Sequence, residues 1–265
     1  MAAMDGAVHF IRSRSNPLLV HLRQLVQDPG AYRKVGALWL EGDHLCRAAA
    51  ARGVVPQQVI FDERSLGEPA LQVLARAAAR VVVLPSALFA SVSTLESPAG
   101  IGWLVDLPPP AEIDAQASTL VLDRVQDAGN VGSMLRSAAA FGVRQVLALK
   151  GTANLWSPKV LRAGMGAHFG LALREGLEVE ALAGLRVPLV ATGSHAGLAL
   201  PEARLPEPCA WVLGHEGQGV GPELLALAAL EVRIPQPGGE ESINVAAAAA
   251  ICLYESMRRR VGGAQ

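Results

Sequence analysis

The sequence predicts an α/β protein in two parts: a smaller amino-terminal α/β domain over residues 1–107 and a parallel-sheet domain over residues 118–262. Three observations carry this expectation. Short apolar runs alternate with helical patterns along both halves, the order expected of an α/β fold. Pro108-Pro109-Pro110 interrupts the alternation, and three consecutive prolines continue neither a helix nor a strand ladder. Beyond that break, apolar runs lead into glycine-bearing loops and then into helices, as in a buried parallel sheet whose ligand sites lie at the carboxyl ends of its strands.

The elements follow in order. Leu18, Leu22 and Leu25 recur at helical spacing within residues 16–26. Residues 37–40 are an apolar run closed by Glu41-Gly42 and read as a strand, and the alanine-rich stretch 44–52 reads as a helix. Further strands are expected at 59–61, 81–84 and 101–105, with helices at 68–80 and 86–91. In the second half, strands are expected at 120–123, 146–149, 187–192, 210–213 and 232–234, and helices at 131–141, 222–230 and 243–260.

Composition narrows the function classes. Hydrophobic residues make up 51% of the 265-residue chain but aromatics only 4%, so the cores must be built from Ala, Val and Leu. A net charge of −1 argues against nucleic-acid binding through bulk charge, yet Arg12, Arg14, Arg23, Arg33 and Lys34 form a local basic cluster. Cys46, Cys209 and Cys252 are scattered and lack CxxC spacing, which points to neither a disulfide framework nor a metal site. The most apolar helical stretch, 245–254, is too short to span a bilayer, and residues 1–14 lack the apolar run of a signal peptide. The expectation is a soluble, cytoplasmic protein.

Three segments carry candidate chemistry. In residues 120–143 a strand ends at Asp123, a polar loop reaches Asn130, and a helix bearing Arg136 follows. The plainer reading makes Asn130 the helix N-cap and Arg136 a solvated charge. In residues 211–225 a strand runs into Gly214, Gly217, Gly219 and Gly221, which permit close backbone approach to a ligand. Glu216 within that loop is not a turn-forming residue, and the plainer reading is a flexible loop with an exposed acid. In residues 232–255 a strand meets Pro235 and a Pro-Gly-Gly turn, after which Ser242 and Asn244 stand at the mouth of an alanine-rich helix. Helix N-termini present free N–H groups to polar ligands, but capping by Ser242 or Asn244 is the plainer reading there.

Taken together and in order, the segments resemble the motifs of the SpoU/TrmH family of the SPOUT superfamily. Asn130-Val-Gly132-Ser-Met-Leu-Arg136-Ser-Ala138 is similar to its N-x-G-x-x-x-R-[ST]-A, and Gly214-His-Glu216-Gly-Gln-Gly219 to its G-x-E-x-x-G. Ile234-Pro235 followed by Ser242-Ile243-Asn244-Val245 is similar to its I-P and S-L-N-V, with Ile243 where Leu is usual. The stretch 156–166 is similar to the family's chain after the second strand. Arg14-Ser15-Asn16-Pro17 and Leu40-Glu41-Gly42 resemble its accessory RNA-binding domain, although residues 97–100 lack the Gln often seen before that glycine.

The resemblance implies a trefoil knot in the carboxyl-terminal domain and a homodimer. It also implies transfer of a methyl group from S-adenosylmethionine to a ribose 2′-hydroxyl of structured RNA, ribosomal RNA first and transfer RNA second. By the same resemblance, Thr192, Gly193, Leu213, Gly214, Gly217, Ile234, Ser242 and Ile243 hold the cofactor. Arg136, Asn130, Glu216, Ser242 and Asn244 are then the catalytic and orienting set. The motifs require neither His215 nor His168. The alternatives are base methylation within the same superfamily, an RNA-binding relative without turnover, and a Rossmann-type methyltransferase, whose early glycine-rich strand–loop–helix is absent.

Overall fold

The computed structural model describes residues 8–76, 78–193, 197–239 and 242–262. The chain forms two compact units, one running to Pro109 and including Trp156–Phe169, the other comprising Pro110–Leu155 and the chain from Gly170.

The first unit holds β1 (Val8–Phe10), α1 (Pro17–Gln27), α2 (Tyr32–Val35), β2 (Ala37–Glu41), α3 (Asp43–Ala50), β3 (Gln58–Asp62), α4 (Pro69–Gln72), β4 (Val81–Leu84), α5 (Ser86–Ala90) and β5 (Ile101–Asp106). Its sheet has the order β1-β4-β3-β5-β2. Both β1 and β3 run parallel to β4, and β5 is antiparallel to β2 and β3. Asn16 caps α1 by accepting from Leu18 N at 3.0 Å, and Pro17 takes the first turn, where its missing N–H costs nothing. The expected helix at 68–80 ends early, passing from α4 into one 3-10 turn at Val73–Ala75. Leu71, Leu74 and Ala75 are buried, so this short piece exhausts the apolar face; Ala77 lies outside the described residues. In the core the Trp39 ring lies edge-on to Phe89 and covers Gly102, where any Cβ would meet the indole at 2.1 Å.

The second unit holds β6 (Thr119–Leu122), α6 (Ala128–Ala140) and β7 (Gln145–Leu149). After α7 (Pro158–Gly164), which belongs to the first unit, it continues with β8 (Ala172–Leu177), β9 (Leu189–Thr192), β10 (Leu198–Ala199), β11 (Ala210–Leu213), α8 (Pro222–Leu227), β12 (Leu230–Arg233) and α9 (Val245–Gly262). The stretch 156–169, expected within the second domain, instead packs into the first unit. Leu161 is buried in that unit's core, Trp156 and Phe169 lie against it, and Gly166 sits so close to Ala48 that a Cβ would come within 2.4 Å.

All seven strands of the second sheet run parallel, in the order β10-β12-β9-β11-β6-β7-β8. Alternation along each strand fills both faces. Val121, Leu147, Ala191 and Val212 share one apolar cluster with Leu224 of α8. Trp211 points the other way, and its indole N–H donates to Ser256 Oγ of α9 at 2.9 Å. Among the described residues no helix is long and apolar enough to cross a membrane.

Candidate active site

A pocket of about 500 Å³ opens at the carboxyl ends of β9, β11 and β12, where a parallel sheet places its ligands. Thr192 and Gly193 end β9, Leu213 and Gly214 end β11, and Ile234 follows β12. Ser242 and Ile243 approach from the start of α9, and Gly217 from the loop after β11. These eight residues were the expected cofactor positions, and all of them line this one pocket.

The loop after β11 is a tight hairpin. His215 N donates to Gly219 O at 3.1 Å, Gly219 N donates back at 2.9 Å, and Gly219 has φ of +68°. A Cβ on Gly214 would lie 2.1 Å from Gly219 C and 2.2 Å from Val220 N, so only glycine fits where the chain folds back on itself. His215 serves the hairpin: its Nδ1 accepts from Gly217 N at 3.0 Å and from Gln218 N at 3.3 Å.

Beside the pocket, three expected polar residues form one chain of hydrogen bonds. Glu216 Oε1 accepts from Asn130 Nδ2 and from Asp127 N, each at 3.1 Å, and its Oε2 accepts from Gln126 N at 3.3 Å. Asn130 Oδ1 accepts from Asn244 Nδ2 at 2.9 Å. Asn244 Oδ1 accepts from Ala246 N at 2.9 Å and Ala247 N at 3.2 Å, capping α9. Partial burial pushes the Glu216 carboxyl up, but the hydrogen bonds from Asn130, Asp127 and Gln126 outweigh it and hold the group below the usual carboxylate range.

The structure corrects one local expectation. The N-cap of α6 is Asp127, whose carboxylate accepts from Asn130 N at 2.7 Å, while Asn130 lies inside the first turn. The capping role thus falls to an acid three residues earlier, which leaves the Asn130 side chain free to bridge Glu216 and Asn244. Arg136 is on an exposed stripe of α6 with Gly129, Ser133 and Ala140. It lies outside the pocket lining and has no hydrogen-bond or ion-pair partner among the described residues. Ser242 lines the pocket rim, and His168 is buried within the first unit.

Sequence reasoning missed Asp123, Arg124 and Gln218. Asp123 is 4% exposed, and its carboxylate accepts from Gly221 N at 2.8 Å and from Arg124 Nε at 2.8 Å. Nothing in residue order pairs position 123 with position 221; only the adjacency of β6 and β11 does.

The profile of the SpoU rRNA Methylase family matches residues 117–254. The chain belongs to this family. A tRNA/rRNA methyltransferase of Synechocystis, itself uncharacterized, is 34% identical over 98% of this chain and 97% of its own length. The 23S rRNA (guanosine(2553)-2′-O)-methyltransferase RlmP of Bacillus subtilis is 32% identical over 83% of this chain and 88% of its own. Among solved structures, an AdoMet-bound rRNA methyltransferase from Sinorhizobium meliloti is 25% identical with a TM-score of 0.81, covering 95% of this chain and 98% of that one. The family match spans α6, the hairpin after β11 and the start of α9, so it includes every element that builds the pocket.

The pocket suits an adenosine-like ligand. Its volume is in the usual range for small-molecule sites, Ile234 and Ile243 offer apolar walls, and backbone groups at strand ends offer polar partners. Among the described residues no group of three or more His, Cys, Asp or Glu side chains is arranged to hold a metal ion.

Proposed function

We propose that this chain methylates a ribose 2′-hydroxyl of ribosomal RNA with S-adenosylmethionine held in the β9–β11–β12 pocket. The observation that carries the reading is convergence: residues from four separate stretches of a SpoU-family chain line one pocket, with the Glu216–Asn130–Asn244 chain beside it. Fit to the cofactor rests on the backbone at Leu213 and Gly214, where β11 ends, and on the apolar walls at Ile234 and Ile243. Thr192, Gly193, Leu213, Gly217 and Ser242 complete its holding set. When bound, the cofactor supplies an electrophilic methyl group on a sulfonium.

The remaining work belongs to the chain. Arg136 is an exposed guanidinium without a partner among the described residues, suited to grip a phosphate of the target RNA and so fix the adjacent ribose. A guanidinium is a poor general base, so the role given to it is positioning. Asn130, Glu216, Ser242 and Asn244 orient the loops that meet the RNA, and positioning of this kind supplies much of the rate of a displacement.

The same reading includes a homodimer. On α9 the exposed positions Ala247, Ile251, Tyr254, Arg258 and Val261 follow four-three spacing, and Ile251, Tyr254 and Val261 are 40%, 49% and 64% exposed. A mainly apolar stripe at this spacing supports packing of α9 on a second copy of the chain. A cytoplasmic site of action and a knotted carboxyl-terminal chain belong to the reading as well.

The test is transfer of labelled methyl groups from S-adenosylmethionine to ribosomal and transfer RNA from a strain lacking the gene, followed by nucleoside analysis. A labelled 2′-O-methylnucleoside in ribosomal RNA, lost with Arg136→Ala, is the expected result. Label in transfer RNA alone would move the substrate, and label on a base would overturn the chemistry.

A further inference from the structure

We propose that Arg124 is a positioning residue that latches loop 214–221 in its pocket-forming shape and thereby sets affinity for the cofactor. The inference rests on the reading of that pocket given above.

The first observation is backbone strain. Arg124 has φ of +58°, one of two non-glycine residues with positive φ among the described residues. An L side chain is disfavoured in this region, whereas glycine adopts it freely. The reason for an arginine at position 124 therefore lies in its side chain.

That side chain makes three hydrogen bonds. Nε and Nη2 fork onto the Asp123 carboxylate at 2.8 and 3.0 Å, and Nη1 donates to Gln218 Oε1 at 2.9 Å. The same carboxylate accepts from Gly221 N at 2.8 Å. A Cβ on Gly221 would come 3.3 Å from Arg124 Nη2 and 3.4 Å from Asp123 Oδ2, so backbone and latch are in close contact.

The loop needs such a restraint. Gly214, Gly217, Gly219 and Gly221 leave its backbone many conformations, and its ordering must be met by contacts elsewhere. Glu216 ties the tip to Gln126, Asp127 and Asn130. Arg124 and Asp123 tie the descending arm at Gln218 and Gly221. Both ties originate in the β6–α6 connection, which frames the loop on two sides. A lysine at 124 would supply a single point charge and hold either Asp123 or Gln218, not both.

The experiment measures calorimetric Kd for S-adenosylhomocysteine, together with the KM for S-adenosylmethionine and kcat, on the full chain. The proteins are wild type, Arg124→Lys, Arg124→Gly, Gln218→Ala and the Gly/Ala double variant. We expect Kd and KM to rise about five- to tenfold in each single variant, the loss of one charge-assisted hydrogen bond, with kcat changing far less. The double variant should be no weaker than Arg124→Gly, because the glycine has already removed the contact to Gln218. Gln218→Ala removes an exposed contact and should keep Tm while losing affinity, which separates the latch from general stability. Unchanged affinity in Arg124→Lys, additive losses in the double variant, or a loss confined to kcat would overturn the latch. A wild type that does not bind S-adenosylhomocysteine would instead overturn the pocket reading, and the latch with it.

Discussion

Asn130→Asp is the sharpest probe of the polar chain, because it changes one group and almost no volume. The orientation of every amide in the chain is fixed from one end. Asn244 must present its oxygen to the N–H groups of Ala246 and Ala247, so its NH2 meets Asn130 Oδ1, and Asn130 must then point its NH2 at Glu216. Aspartate puts a carboxylate oxygen where that NH2 stood, 3.1 Å from Glu216 Oε1. Two unit charges at this separation repel by about 1 kcal/mol in bulk water and about 5 at an effective dielectric of 20. Glu216 is exposed, so solvent screening places the penalty at about 1–3 kcal/mol, or roughly five- to 150-fold in the competent fraction. Like-charge proximity also raises the carboxyl pKa of the pair, so the penalty is present above that raised value and is relieved as pH falls through it. The assay is S-adenosylhomocysteine affinity and methyl transfer at a series of pH values. The variant should be impaired at neutral pH and regain part of its activity relative to wild type as the pair takes up a proton. Wild-type behaviour at neutral pH would refute the orientation argument, as would a deficit that does not change with pH.

Four further outcomes follow from the same geometry. Gly214→Ala forces a Cβ into backbone at 2.1–2.2 Å and should destabilise the second unit by about 3 kcal/mol, read from urea unfolding, with loss of cofactor binding. The Glu216 carboxyl is held below its ordinary value, so its contribution is present above that value and is lost only as pH falls through the lowered one. Cofactor affinity of the wild type should therefore stay level from about pH 8 to about pH 5 and decline below the usual carboxylate range, by calorimetry. Ile251→Asp places a charge in the exposed α9 stripe and should give a monomer in sedimentation velocity, with the far-ultraviolet spectrum unchanged. Asn244→Asp keeps an α9 cap but loses the donor to Asn130, so Tm should hold while turnover falls about tenfold; an equal fall in Tm would assign Asn244 to capping alone.

The parts of the fold legible in the sequence were those with a local signal. The interior strands β6, β7, β9 and β11 carry the apolar runs 120–122, 146–149, 189–191 and 210–213 because both faces of a parallel sheet are covered. Strands β8 and β10 escaped because they lie at the sheet's two edges: β8 reads Ala-Leu-Arg-Glu-Gly-Leu, and β10 has only two residues. The transfer of residues 156–169 to the first unit was illegible for another reason, since the burial of Leu161 is decided by a partner surface distant in sequence. At the site, glycines and polar residues at strand ends marked the pocket. Arg124 gave no signal, because its left-handed backbone is visible only in three dimensions.

The plain and the functional readings of these motifs turn out not to compete. Asn244 is a helix cap through its oxygen and an orienting group through its nitrogen, and the first role enforces the second: because the cap consumes Oδ1, Nδ2 can only donate toward Asn130. Asp127 does the same one step away, capping α6 with its carboxylate while its backbone N–H holds Glu216. Each cap therefore fixes the direction of a site hydrogen bond through backbone that is already ordered by its helix. This accounts for a site with little side-chain freedom although most of its members lie near the surface. The entropy of ordering them is met by the caps of two helices whose formation the fold requires in any case. It also gives the glycine-rich hairpin its rigid neighbour, because Glu216 has no regular element of its own and takes its position from α6.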